Sequence, residues 1–591
     1  MKKTGKYGNI NVYNFNRTNG GKRTHMKKLF SRVLCIALVV CMAVSAMVMP
    51  TSAANTTMKS VFDLDVSKIS STGIFFKCTT NKPDFMSYEV GDEIVFTFSM
   101  YDGANIVSAP YFHYTLVQDD GNNKDGYIDG TTGVGVVKTV LTTPGSVNLK
   151  VWPADTYRRD VNNSNYPELY SKMKSSSQQN NSDPPLAAGA IAGAPEITTA
   201  VAEPSDFDEY WAGELAKLDE CAPTLRNITK LDISSSTYDY YDVEVNCIGD
   251  PNKVITGTTH VAGILTVPKG ASAGSLKFAL NFQGYGVTSA GKSAASGTVT
   301  FSVCAHSILQ LQDSTYYDTT VSRGLLGKGN TKTDYGWSAE ENATASTSYF
   351  HDMLLRDVQA IRFLKKYFGE GVQGTVGDVN TGAWAGLWNG KDIILSGGSQ
   401  GGYQSIATAG LVPEVTEVSA SIPWFGNIGS QTKTEKIKSG FQPPFAAGLL
   451  YLDTCYFAKR VKAQVTISAG AGDLTSPVTS VQAMYNNMTT DVSLTFDQGR
   501  THYQSITYLI QSTQSKLLTL KPGDTYKLPF AVSSISDPSL ASVSGDVLTA
   551  VADGSFKVTY TNGTTRTFNV KTPVAATGVT LDKTEETLAV D

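Results

Sequence analysis

A chain of 591 residues is too long for a single core and predicts three or four domains. A hydrophobic share of 41% with 17% charged residues describes a polar globular protein, and a formal net charge of −4 leaves no basic footprint for nucleic acid. His-Glu-x-x-His, paired Cys-x-x-Cys and P-loop patterns do not occur, so no metal or cofactor is expected.

At the N-terminus, Lys27, Lys28 and Arg32 precede an apolar run, Val33–Val48, that ends in Pro50-Thr-Ser-Ala-Ala54. A basic region, a short apolar core and a small-residue exit predict a signal peptide over residues 1–54 and a secreted or cell-surface protein, with a short membrane anchor as the alternative. Cys78, Cys221, Cys247, Cys304 and Cys455 then remain, scattered and odd in number, which is no disulfide scaffold. Residues 57–155 alternate apolar and polar positions, most clearly in Glu93–Phe98, Tyr111–Val117 and Val147–Val151, and predict an Ig-like β-sandwich. Inside it, Asp119–Gly130 invites a calcium-loop reading. Aligning Gly126 with the loop glycine puts Gly121 where the first Asp belongs and Thr132 where the bidentate Glu belongs, so an acidic hairpin turn is expected. Residues 156–200, with Ser175–Ser182 polar throughout, read as a linker.

A helix is predicted from Ser205, with Phe207, Tyr210, Trp211, Leu215 and Leu218 at packing spacing and Asp206 and Asp208 at the positive end of its dipole. Strands follow at Tyr238–Val245, His260–Val267, Leu276–Phe282, Asp392–Leu395, Gln464–Ser468 and Val492–Phe496, with a helix over Met353–Tyr367. This alternation predicts an α/β-hydrolase fold over 201–514: a mostly parallel sheet with helices on both faces. After 515 the β pattern returns. Residues 515–573 resemble the bacterial Ig-like group 2 repeats of surface proteins, and Val579–Thr584 echoes Leu518–Gly523 as the start of a second, truncated repeat over 574–591.

Chemistry centres on Gly397-Gly-Ser-Gln-Gly401, a G-x-S-x-G that follows the apolar run Ile393–Leu395 and precedes a helix of small residues. Strand, sharp turn and helix are the context of a nucleophile elbow, with Ser399 as nucleophile. A second match, Gly270-Ala-Ser-Ala-Gly274, lies between two strands with no helix after it and reads as a surface hairpin loop. In α/β-hydrolases the acid and then the histidine follow the serine. His502 alone of six histidines lies beyond Ser399, in a loop after Val492–Phe496 and before a helical run, Tyr503–Leu517. Among the acids between them, Asp473 follows the strand Gln464–Ser468 and so emerges at the carboxyl edge, where active-site groups gather. Asp453, in an aromatic helix-like stretch, is the weaker choice. The oxyanion donors are expected to be the backbone N–H groups of Gln400 and of Tyr285, the latter in the Gly-rich loop Gln283–Gly286.

Asp206–Gly213, Gln283–Gly286, Gly397–Gly402, Gly472-Asp473 and His502 together resemble carbohydrate esterase family 7, the acetyl xylan esterase and cephalosporin C deacetylase group. The resemblance implies a serine esterase that removes acetyl groups from acetylated xylan, xylo-oligosaccharides or other acetylated sugars, with a small acyl pocket. It implies the same triad and oxyanion donors. The family's Arg-Gly-Gln-Gly motif is absent, and Ser302–His306 occupies its neighbourhood. The Ig-like modules are expected to touch cell-wall or surface glycan. The alternatives are an α/β-hydrolase of other specificity, such as a feruloyl esterase or peptidase, or a non-catalytic polysaccharide-binding protein.

Overall fold

The computed structural model describes residues 58–70, 73–173, 184–253, 257–319, 321, 335–372, 374–503, 510–528, 530–561, 563 and 565–573. The predicted signal peptide, the second repeat at 574–591 and the polar run 174–183 lie outside them.

Among the described residues, ten strands form the central sheet: β1 (Leu225–Lys230), β2 (Tyr238–Asn246), β3 (His260–Pro268), β4 (Leu276–Phe282), β5 (Thr298–Val303), β6 (Trp388–Gly398), β7 (Glu417–Ser421), β8 (Gln464–Gly470), β9 (Val492–Asp497) and β10 (Gln511–Lys516). Their spatial order is β10-β9-β8-β7-β6-β4-β5-β3-β2-β1. The run from β5 to β9 is parallel, and β1–β3 and β10 add antiparallel edges. This is an α/β-hydrolase fold. Its helices are α1 (Phe207–Asp219), α2 (Tyr349–Leu364), α3 (Gln400–Leu411), α4 (Thr454–Ala458) and α5 (Val478–Asn487).

Helices α2 to α5 form one layer, each touching the next, over the face of Phe278, Leu280, Ile393 and Leu395. On the other face Lys277, Ser419 and Thr466 are exposed, so these parallel strands alternate as half-buried strands do. The pairing also corrects the second serine motif. β3 and β4 are not neighbours, because β5 lies between them, so Ser272 sits in a crossover turn and not a hairpin. Gln511–Lys516, read as part of a helix, pairs antiparallel with β9, and it carries the sheet two residues past the expected boundary at 514. A polar strand cannot be recognised by periodicity when its burial comes from an edge pairing.

The N-terminal unit is two facing four-stranded sheets. Phe76 and Phe98 of one meet Phe112 of the other at 5.9 and 5.3 Å between ring centroids. The linker reading of 156–200 fails at its C-terminal part. Leu186–Ala192 is a fully buried strand paired with Gly145–Ala154. Its small residues suit a strand pressed between that sheet and the hydrolase loops, where composition alone suggests a spacer. The Asp119 carboxylate accepts from Ser146 N–H at 2.8 Å and from Ile437 N–H of the hydrolase at 2.9 Å. The C-terminal unit, with its own core of Leu518, Tyr526, Leu548, Phe556 and Phe568, meets the hydrolase through Arg566 and Thr490 at 2.6 Å.

Helix α1 packs as its spacing predicts, burying Phe207, Trp211 and Leu218. Trp211 Nε1 donates to Tyr451 O at 2.9 Å. A charged cluster fixes α1 on α2: His351 stands between Asp352 at 3.0 Å and Glu214 at 3.2 Å. Burial opposes the charge on His351, but the two carboxylates outweigh it and raise its pKa. The same ion pair, with Lys217, pulls Glu214 down to about 2. The histidine contribution is complete below about 6.5, its unfolded value, and is lost as pH rises through the raised folded value. The glutamate contribution is complete above about 4.3 and is lost as pH falls towards the folded value. His351→Gln is therefore expected to cost about 2 kcal/mol near pH 5.5 and clearly less near pH 9. Urea melts of both proteins at the two pH values check this, and an equal loss at both would reject it.

Candidate active site

Four of five adjacent parallel strands, β4, β6, β8 and β9, end at one carboxyl edge, and each delivers one part of the site. β6 runs into Ser399, which has φ 56° and ψ −116°, a backbone that L-residues avoid. The turn is held by Ser399 N–H donating to Ser421 O at 2.9 Å and by Tyr403 and Trp424 N–H donating to Ser399 O at 3.1 Å. Glycine is required on either side. A Cβ on Gly397 would lie 2.4 Å from the Gly401 carbonyl carbon, and one on Gly401 would lie 2.3 Å from Phe282 O. The side chain at 399 is thereby lifted clear of β6 and placed at the start of α3.

His502 and Asp473 meet it in line. His502 Nε2 lies 2.9 Å from Ser399 Oγ, and His502 Nδ1 lies 2.8 Å from Asp473 Oδ2. The second Asp473 oxygen accepts from Thr475 N–H at 2.7 Å and Ser476 N–H at 2.9 Å, and the residue is 1% exposed. The loops carrying acid and base are clasped to each other, with Ala471 N–H on Asp497 O at 2.9 Å and Gly472 N–H on Arg500 O at 3.0 Å. Asp453 is elsewhere: it caps α4 and accepts from Asn427 and Ile428 N–H at 2.9 and 2.7 Å. The arrangement can shuttle a proton from the serine through the imidazole while the carboxylate orients the ring.

The expected oxyanion loop Gln283–Gly286 lies against the elbow, with Gln404 Nε2 donating to Gln283 O at 3.4 Å. Gln400 opens α3, so its N–H has no acceptor within the helix. Both Gly286 backbone groups are pinned by residues that sequence reasoning missed. Its N–H donates to the Tyr335 hydroxyl at 3.2 Å, which itself donates to Gln400 Oε1 at 2.9 Å. Its carbonyl accepts from His306 Nε2 at 2.9 Å, so the proton is on Nε2 and Nδ1 accepts from Tyr349 OH. Complete burial drops the His306 pKa to about 3, keeping the ring neutral. Tyr335 thus links the loops of the two expected oxyanion donors. His306 had a legible signal, its place just after β5 at the carboxyl edge. Tyr335, inside a long Ser/Thr/Gly/Tyr stretch, had none. Around the elbow, Tyr285 stacks on Tyr335 at 4.2 Å and meets Phe441 and Trp424 edge-on at 4.9 and 5.6 Å.

The fold and this constellation define the α/β-hydrolase class with a serine, histidine and carboxylate in register. Within that class, residues 386–517, which hold Ser399, Gln400, Asp473 and His502, match the acetyl xylan esterase (AXE1) family model, and the likeness read from the sequence is borne out. Among curated proteins the chain is 25% identical over 306 residues to the acetyl esterase Axe7A of Xylanibacter ruminicola, covering 48% of this chain and 60% of that relative's length. Among solved structures it is similar to acetyl xylan esterase 1 from Thermoanaerobacterium sp. JW/SL YS485, at 19% identity and TM-score 0.40 over 53% of this chain and 93% of that one. It is likewise similar to the acetyl xylan esterase of Paenibacillus sp. R4, at 18% identity and TM-score 0.39 over 53% and 94%.

Proposed function

We propose that this protein is an exported serine esterase that removes acetyl groups from acetylated xylan or related acetylated saccharides. The reading is carried by the continuous chain Ser399–His502–Asp473, at 2.9 and 2.8 Å, on a strained elbow. His502 takes the Ser399 proton as Oγ attacks the ester carbonyl, and Asp473 stabilises the imidazolium that forms. The N–H groups of Gln400 and Tyr285 receive the developing oxyanion. The tetrahedral intermediate collapses as His502 hands its proton to the leaving sugar hydroxyl, and acetyl-Ser399 remains. Water, deprotonated by His502, then releases acetate.

Acetyl as the acyl group is supported by the family match at 386–517. Export is supported by the N-terminal basic and apolar pattern. The test is the acyl series: p-nitrophenyl acetate, butyrate and octanoate, with methyl ferulate and acetylated xylose alongside. Acetate esters are expected to be the best substrates by at least tenfold in kcat/KM, since each extra methylene that cannot be accommodated costs about 1–3 kcal/mol. A preference for ferulate or long acyl chains would replace the acetyl reading with that of another esterase. No turnover of any ester would leave a binding protein.

A further inference from the structure

Beside His502 lies a cavity of about 340 Å³ whose lining joins residues of the hydrolase and of the N-terminal unit. The hydrolase supplies His502, Phe441 and Leu474. The N-terminal unit supplies Lys150 and Ala187 from the outer face of its sheet and Pro184 just before the strand Leu186–Ala192. That sheet is bound to both triad loops: Asn148 Nδ2 donates to Ala471 O at 3.3 Å, and Gly189 N–H donates to Gln498 O at 3.2 Å. In acyl transfer the leaving alcohol accepts its proton from the histidine, so it must lie on the histidine's side. The cavity stands where the sugar half of the ester would.

From there the same sheet face continues. Lys150 pairs with Thr115, and one row further out, about 7 Å along the strand, Trp152 pairs with His113 and His113 with Tyr127. The three rings stack, His113 lying 4.7 Å from Tyr127 and 5.4 Å from Trp152. Arg158 covers the outer end over Tyr127 at 5.2 Å, and Asp160 holds the imidazole at 2.8 Å. All three rings are half-buried, although the face that packs the sandwich core carries Phe112 and Val151 instead. The outward edges form a rigid strip of apolar carbon tipped with polar groups and flanked by the exposed Asp125 and Arg158. Such a strip suits a sugar chain, which alternates C–H surface with hydroxyls.

We propose, building on the esterase reading, that the N-terminal unit is part of the substrate site: the acetylated sugar occupies the cavity between Ala187 and His502, and the saccharide chain runs on over Trp152, His113 and Tyr127. The test compares wild type, Trp152→Ala and Tyr127→Ala on acetylated xylose, acetylated xylohexaose and acetylated xylan, with p-nitrophenyl acetate as the reference substrate. For wild type, KM is expected to fall as the chain lengthens. In each variant the ratio of kcat/KM for xylan to that for p-nitrophenyl acetate should drop roughly five- to tenfold, through KM and not kcat. Using two variants and a ratio keeps a poorly folding protein from mimicking the result. Wild-type turnover that is indifferent to chain length, or a ratio unchanged in both variants, overturns the proposal and leaves the esterase reading standing. Release of acetate from no saccharide, with p-nitrophenyl acetate still cleaved, overturns the saccharide reading itself.

Discussion

Ser399→Ala is expected to lower kcat on p-nitrophenyl acetate by about 10⁵- to 10⁶-fold while leaving the melting temperature unchanged. The loss is large because the substitution deletes the one atom that forms the acyl-enzyme. His502 and the oxyanion donors can then assist only a water molecule. Stability is spared because the strain at 399 is in the backbone, φ 56°, and alanine bears it as serine does. The bonds that hold the turn, Ser399 N–H to Ser421 O and Tyr403 N–H to Ser399 O, are also main-chain bonds. Residual activity within tenfold of wild type would remove Ser399 from the mechanism, and with it the assignment of the whole site.

Asp473→Asn is expected to cost about 10⁴-fold in kcat with little change in fold. The reason lies in how its two oxygens are used. Oδ1 accepts from the N–H groups of Thr475 and Ser476, so in the variant the amide oxygen takes that position. The amide NH₂ then faces His502 Nδ1, where the carboxylate stood at 2.8 Å. A donor there forces Nδ1 to be the acceptor and puts the ring proton on Nε2, facing Ser399 Oγ. In that tautomer the imidazole cannot take the serine proton. A loss below tenfold would show that another group orients His502; Asp453 is no candidate, since its carboxylate is committed to the Asn427–Ile428 turn.

What could be read from the residues in order was what each segment does by itself. Ile393–Leu395 before Gly-Gly-Ser-Gln-Gly, and the glycines after Gln464–Ser468, announce strands that stop and turn at one sheet edge. Because one histidine alone followed the serine, elimination chose the base. Errors arose where a neighbour far along the chain decides the structure. Leu186–Ala192 is a strand because Gly145–Ala154 pairs with it, and Gln511–Lys516 because β9 does. Neither segment carries a period that reveals its partner.

By itself, then, the sequence determined the α/β-hydrolase core and the positions of Ser399, Asp473, His502 and the oxyanion loop, because strand ends, tight turns and chain order are local properties. The tertiary structure alone decided what surrounds them. Tyr335 and His306 pin the loop Gln283–Gly286, and an N-terminal sheet lies beside His502 through contacts such as Asn148 to Ala471, 323 residues apart. Packing across that separation depends on complementary surfaces formed only after each unit has folded, and such complementarity leaves no pattern in either segment.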